Sequence, residues 1–119
     1  MKIKKLKVIN LKSRGRVIKF LNIKNLEFKK FREIYFSETP SNVFKGWKYH
    51  KNRNQILTIV KGSAVFFFKK DKESKIKKIK ISYPKKIYKI FIPKKNYYAF
   101  KCTSKSSAII INMIDEIVK

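Results

Sequence analysis

Asn54-Gln55-Ile56-Leu57-Thr58-Ile59-Val60 and Ser63-Ala64-Val65-Phe66-Phe67-Phe68-Lys69 stand on either side of Lys61-Gly62. Both runs are short and dense in β-branched and aromatic residues, which favour an extended backbone and crowd a helix. Two residues separate them, the second a Gly that tolerates positive φ, so a tight hairpin is expected. The same texture continues in both directions. Further strands are expected at Lys2–Leu11, Arg16–Asn22, Phe31–Ser37, Val43–Tyr49, Lys75–Ser82, Ile87–Ile92, Tyr97–Cys102 and Ser107–Ile114. In Lys78-Ile79-Lys80-Ile81 the period of two puts Lys in water and Ile on a core. Ile109-Ile110-Ile111 reads as a strand buried on both faces. Asp71-Lys72-Glu73-Ser74 suits a polar hairpin tip, and Pro93-Lys94-Lys95-Asn96 opens a turn with φ preset by Pro. Turn signals every eight to twelve residues, with no strong helical period, imply an all-β sandwich or barrel. One domain over 1–119 is expected, with an interior wide enough for a small ligand.

Composition narrows the function. The chain carries 32 Lys+Arg against 7 Asp+Glu, a formal net charge of +25. That excess suggests nucleic acid, because basic side chains neutralise phosphates. Yet only four of the basic residues are Arg, the residue suited to bidentate recognition of phosphate and base edges. Ile, Asn, Phe and Tyr are abundant, while Ala and Gly number three each. This composition fits an A+T-rich coding sequence with Lys as the default surface residue, so nucleic acid is discounted as a partner. An anionic small ligand would still be steered toward such a surface. There is one His, His50, and one Cys, Cys102. A metal site draws on several His, Cys or carboxylate ligands, so no metal site is expected. Cys102 is expected as a buried small hydrophobe. No apolar run is long enough to span a membrane, and lysines interrupt Met1-Lys2-Ile3-Lys4-Lys5-Leu6-Lys7. A cytoplasmic protein is the expectation.

The densest polar and aromatic cluster is Lys45-Gly46-Trp47-Lys48-Tyr49-His50-Lys51, followed by Gln55. On a strand, Lys48 and His50 share one face while Trp47 and Tyr49 share the other. Trp47 is thereby assigned to the core or to a dimer interface. If the Lys48 face lines the interior, it carries an amine and an imidazole side by side. Positive charge would hold His50 neutral, the form a general base needs, and burial would push Lys48 toward its free amine. The alternative is a His50 that merely hydrogen-bonds in a half-buried strand beside a solvated Lys48. Tyr35 shares a face with Glu33 and Ser37 and is a candidate to contact ligand. Tyr97 is a candidate to stack on a base or sugar. Asp115 and Glu116 are adjacent, which argues against a paired-carboxylate site.

This cluster resembles the R-G-x-H-x-H-K-x-x-x-Q…G-S pattern of the cupin sugar-nucleotide 3,4-ketoisomerases, with Gln55 and Gly62-Ser63 in place. It is also similar to the R-G-L-H segment of the dTDP-4-dehydrorhamnose 3,5-epimerases. Arg14-Gly15-Arg16-Val17 resembles an early turn of these proteins, and Glu33-Ile34-Tyr35-Phe36-Ser37 the strand before the signature. Asp71 falls at their acidic hairpin tip. Ile92-Pro93 through Tyr97-Tyr98-Ala99-Phe100 resembles I-P-P-G-x-W-x-A-F. The resemblance implies a cupin double-stranded β-helix (jelly roll) in a homodimer, binding a nucleotide diphosphate sugar without a cofactor. It implies enolisation of a 4-keto sugar and reprotonation, in surface polysaccharide synthesis.

The chain also departs from that pattern. Lys48 stands at the first signature histidine, His50 at the second, and Lys45 at the preceding arginine. Gln55 matches the ketoisomerases, where the epimerases carry lysine. The expected catalytic residues are His50 and Lys48, with Tyr35, Lys45, Gln55 and Tyr97 on the substrate. Two rivals stand beside this reading: a catalytically silent cupin holding a nucleotide sugar or a partner protein, and a small basic all-β nucleic-acid binder.

Overall fold

The computed structural model describes residues 1–22, 24 and 31–116. Among these residues eleven strands run in order: β1 (Lys2–Lys5), β2 (Lys7–Asn10), β3 (Arg16–Lys19), β4 (Glu33–Thr39), β5 (Phe44–Tyr49), β6 (Gln55–Lys61), β7 (Ser63–Lys69), β8 (Lys77–Ser82), β9 (Tyr88–Ile92), β10 (Tyr97–Cys102) and β11 (Ala108–Ile114). A five-stranded antiparallel sheet has the order β1-β9-β6-β11-β4, and a four-stranded antiparallel sheet the order β5-β10-β7-β8. Strands β2 and β3 form a separate two-stranded ribbon. The two larger sheets face one another as a jelly roll of the cupin type.

The core fills the space between them. Leu57, Ile59, Ile90 and Ile110 from the larger sheet meet Phe66, Phe68, Ile81 and Phe100 from the smaller one. Strand β7 follows the period of two: Phe66 and Phe68 are buried, and Phe67 points outward against Phe44 and Trp47. Strand β8 does the same, with Ile81 fully buried and Lys78 and Lys80 exposed. At the tip between them, Asp71 Oδ1 accepts from the Glu73 N–H and the Ser74 hydroxyl. Cys102 is buried, as its type favours.

Three expectations are corrected. The run Lys2–Leu11 is two strands, because Leu6 is buried at a break where its N–H donates to the Ile87 carbonyl. Lys61-Gly62 is not a hairpin turn. Strands β6 and β7 lie in different sheets, so the turn is the corner that carries the chain from one to the other. Gly62 does take φ +79°, and a Cβ there would stand 2.7 Å from Ser104 Oγ, so glycine is needed for the corner. Ile109-Ile110-Ile111 is buried on one face only: Ile110 is in the core, while Ile109 and Ile111 lie half-buried on the outer face. Of the two places offered for Trp47, the structure excludes the core: the ring lies on the outer face of the smaller sheet, against Phe67.

Truncating the centre of the core tests this packing. Phe66→Ala removes a fully buried ring that stacks on Phe68 and meets Phe100 at a tilt. It should lower the unfolding free energy by about 3–5 kcal/mol, seen as a lower urea midpoint, whereas the outward Val65→Ala should shift the midpoint much less.

Candidate active site

Strand β5 enters the site by its pairing with β10. Tyr98 lies opposite Lys48 and Phe100 opposite Lys45, with a register shift between them. Tyr98 and Phe100 are buried toward the other sheet, so Lys48 and Lys45 share the inner face with them. Lys48 Nζ reaches to 5.9 Å from the Phe100 ring centroid. Where the register slips, Gly46 (φ +143°) lies against Ala99, and a Cβ on Gly46 would stand 2.8 Å from the Ala99 Cα. Only glycine permits that approach.

His50 follows directly after β5 and turns inward, with Nε2 3.3 Å from the Tyr98 hydroxyl. Its backbone is fixed by the neighbouring turn, because the Lys95 N–H donates to the His50 carbonyl at 2.7 Å. Asn54 ties the same loop to the far sheet. Its N–H and Nδ2 donate to the two Asp115 carboxylate oxygens, and its Oδ1 accepts from the Lys94 N–H. Asp115 is thus a clamp on the loop that carries His50.

The opposite wall comes from β6, β11 and β4. Gln55 Nε2 donates to Asn112 Oδ1, and both residues are buried. Gln55 Oε1 is buried and has no hydrogen-bond partner among the described residues. Asn112 pairs across the ladder with Tyr35. Strand β4 is inverted relative to an ordinary surface strand: Glu33, Tyr35, Ser37 and Thr39 face inward, while Ile34 and Phe36 face out.

Burial and charge set the protonation states. Burial lowers the His50 pKa to about 4, and Arg53 and Lys48 push the same way. Burial, then Lys45, lowers the Lys48 pKa, even though the residue taken as a whole is exposed. Burial raises Tyr98 to about 12, against the Gln55 side chain and Arg53. Burial also raises Tyr35, again opposed by Arg53. At neutral pH the site therefore holds a neutral imidazole beside a protonated phenol, with cations close by. That set can abstract a proton from carbon and stabilise the oxyanion left behind. Among the described residues, no three His, Cys, Asp or Glu side chains gather as a metal site would require.

Of the residues singled out in the sequence, His50, Lys48, Lys45, Gln55 and Tyr35 are brought to this inner face. Tyr97 is not. It packs on Tyr49 at 4.6 Å between centroids, on the outer face, and Tyr98 takes the inward position. The period of two along Tyr97-Tyr98-Ala99-Phe100 offers both choices, and it is the pairing of Phe100 with the core that decides between them. Three contributors were missed: Tyr98, Arg53 and Asn112. Arg53 lies in a loop with no periodicity to mark it, whereas an Asn within the apolar run of β11 was a readable signal.

The titration of His50 tests the geometry. It is the only histidine in the chain, so its ring protons can be followed by NMR without ambiguity. The imidazole should titrate near 4 rather than near 6.5. Because the folded value is the lower one, the unfolded chain binds the proton first as pH falls. The contribution to stability is therefore level above about 6.5 and declines toward 4, and His50→Gln should remove that part of the acid sensitivity.

Comparison with known proteins agrees with this architecture. No curated protein matches the chain significantly. Among solved structures, a dTDP sugar isomerase from Desulfovibrio desulfuricans superposes with a TM-score of 0.87 at 24% identity, over 99% of this chain and 78% of that one. The WlaRB TDP-quinovose 3,4-ketoisomerase from Campylobacter jejuni does so with a TM-score of 0.81 at 26% identity, over 99% and 86%. The RmlC 3,5-epimerase from Legionella pneumophila, in complex with dTDP-4-keto-L-rhamnose, gives 0.84 at 17%, over 98% and 67%. The family described as FdtA: WxcM-like, C-terminal matches residues 1–116, and the chain belongs to it.

Proposed function

We propose that this chain is a sugar-nucleotide isomerase acting on a nucleotide-linked 4-keto sugar by enolisation and reprotonation. The observation that carries the reading is His50, inward-facing, with its Nε2 against the Tyr98 hydroxyl and its pKa lowered by burial and by Arg53 and Lys48. His50 takes the proton from the carbon beside the ketone. The C–H electron pair becomes the C=C bond of the enolate, and the carbonyl pair moves onto oxygen. Lys48 and Arg53 offset that developing charge. Returning the proton to the other face of the same carbon gives an epimer. In the other outcome the enolate oxygen takes a proton to give an enediol, whose other hydroxyl then loses its proton as the former carbonyl carbon is protonated, and the ketone has moved.

Gln55, rather than lysine, favours the ketone shift. Its buried Oε1 has no partner among the described residues and suits a sugar hydroxyl, and Tyr35 offers a second hydrogen bond. Lys45 on the inner face suits a diphosphate. The relatives of similar fold act on TDP-linked sugars, which supports a thymidine diphosphate carrier. A homodimer working in the cytoplasm on surface polysaccharide precursors completes the proposal. Lys48 in place of the signature histidine supports one rival, a silent cupin that binds a nucleotide sugar without turning it over.

Deuterium incorporation separates the two. Incubated with a TDP-4-keto-6-deoxy sugar in deuterated water, the wild-type protein should place label on the carbon beside the carbonyl. His50→Ala should reduce that rate by about a hundredfold or more while the melting temperature changes little. Binding of the nucleotide sugar with no label would leave the silent cupin standing, and unfolding of His50→Ala would assign His50 to the core.

A further inference from the structure

Seven acidic side chains stand among 32 basic ones in this chain. The simplest use of a carboxylate in such company is to meet a lysine. Both oxygens of Asp115 are engaged by an uncharged residue instead. Oδ1 accepts the Asn54 backbone N–H at 2.8 Å, and Oδ2 accepts from Asn54 Nδ2 at 2.7 Å. Both residues are half-buried, and the contact joins positions 61 apart in sequence. Hydrogen bonds to an ionised acceptor are among the strong ones, so this pair fixes Asn54 firmly.

The route from Asp115 to His50 is short. Ile114 pairs with Gln55 at the end of the β6–β11 ladder, and Asp115 and Asn54 extend that ladder by one step through their side chains. Asn54 passes the hold to the turn between β9 and β10, where its Oδ1 accepts the Lys94 N–H at 2.9 Å. The next residue of that turn, Lys95, donates its N–H to the His50 carbonyl at 2.7 Å. Asn96 Nδ2 closes the turn on the Pro93 carbonyl at 3.1 Å. The loop 50–54 is therefore held at both ends, at Asn54 by Asp115 and at His50 by Lys95. Arg53, whose charge acts on the imidazole, lies between the two anchors.

We propose that Asp115 is a positioning residue: through Asn54 it holds the loop 50–54 so that the His50 imidazole stays against the Tyr98 hydroxyl. For the rate of turnover this rests on the enzymatic reading. For the geometry of the free protein it stands without it. Removing Asp115 has two opposed effects at His50, which meets Tyr98 from β10, Lys48 from β5 and Arg53 from its own loop. The lost negative charge leaves the ring in a more positive field, which lowers its pKa further. A loosened loop lets water reach the ring and Arg53 move away, which raises it. Burial is the largest cause of the present shift and Arg53 the next, so the second effect should win.

The test is titration of His50 through its ring protons in the full chain, with deuterium incorporation measured beside it. Asp115→Ala should raise the imidazole pKa from about 4 toward 6.5 while the melting transition is retained. Asn54→Ala should do the same, and the double variant should go no further than either alone. Asp71→Ala removes an acid that is likewise hydrogen-bonded within a turn, at the exposed tip between β7 and β8, and should leave the titration where it is. With a TDP-4-keto-6-deoxy sugar, Asp115→Ala should lower kcat for label incorporation about tenfold or more, with KM little changed. If Asp115→Ala does not fold, Asp115→Asn, which keeps one acceptor oxygen, should raise the pKa part of the way. An imidazole that stays near 4 or moves lower in the folded Asp115 variant overturns the proposal. So does a double variant whose shift is the sum of the two single ones. A wild-type protein that places no label overturns the enzymatic reading alone, and the titration still decides the role of Asp115.

Discussion

Between Tyr98 and Phe100 the ladder joining β5 to β10 loses its register, and Gly46 lies against Ala99 with no room for a Cβ. The rest of the site depends on this close approach. It fixes which side chains of β5 enter the roll and which leave it. Lys45 and Lys48 face Phe100 and Tyr98 across the ladder, and His50 reaches the Tyr98 hydroxyl. Phe44, Trp47 and Tyr49 emerge on the other side, against Phe67 and Tyr97. One strand thus presents amines and an imidazole inward and aromatic rings outward.

Burial then acts on what the ladder has placed. An imidazole partly withdrawn from water, and repelled as a cation by Arg53 and Lys48, stays neutral well below its usual range. The same surroundings make the Lys48 ammonium easier to deprotonate and the Tyr98 phenol harder. These shifts all belong to one feature, a cationic pocket with restricted water. Such a pocket suits an anionic ligand, because a negative charge on the substrate or its enolate offsets the crowding of positive groups.

Much of the fold was legible because strand periodicity is local. Ser63–Lys69 and Tyr97–Cys102 are strands over the residues the pattern assigns them. What could not be read locally was which sheet each strand joins. Lys61-Gly62 has hairpin length yet makes a corner, because that choice depends on partners distant in sequence. The Tyr97 and Tyr98 pair shows the same limit for the site: alternation says that the two point to opposite faces but not which one points inward. Arg53 was missed because its place depends on the Asn54 to Asp115 clamp, a contact across 61 residues. The outward Ile34 and Phe36 were legible as a pattern, since β4 alternates clearly.

The most direct measurement is a crystal structure of the chain with a bound thymidine diphosphate sugar. The account requires the sugar ring between the two sheets, its hydroxyls within hydrogen-bonding reach of His50 Nε2, the Tyr98 hydroxyl and Gln55 Oε1. A sugar seated outside, on the rings of Trp47 and Tyr49 and away from His50, would contradict it.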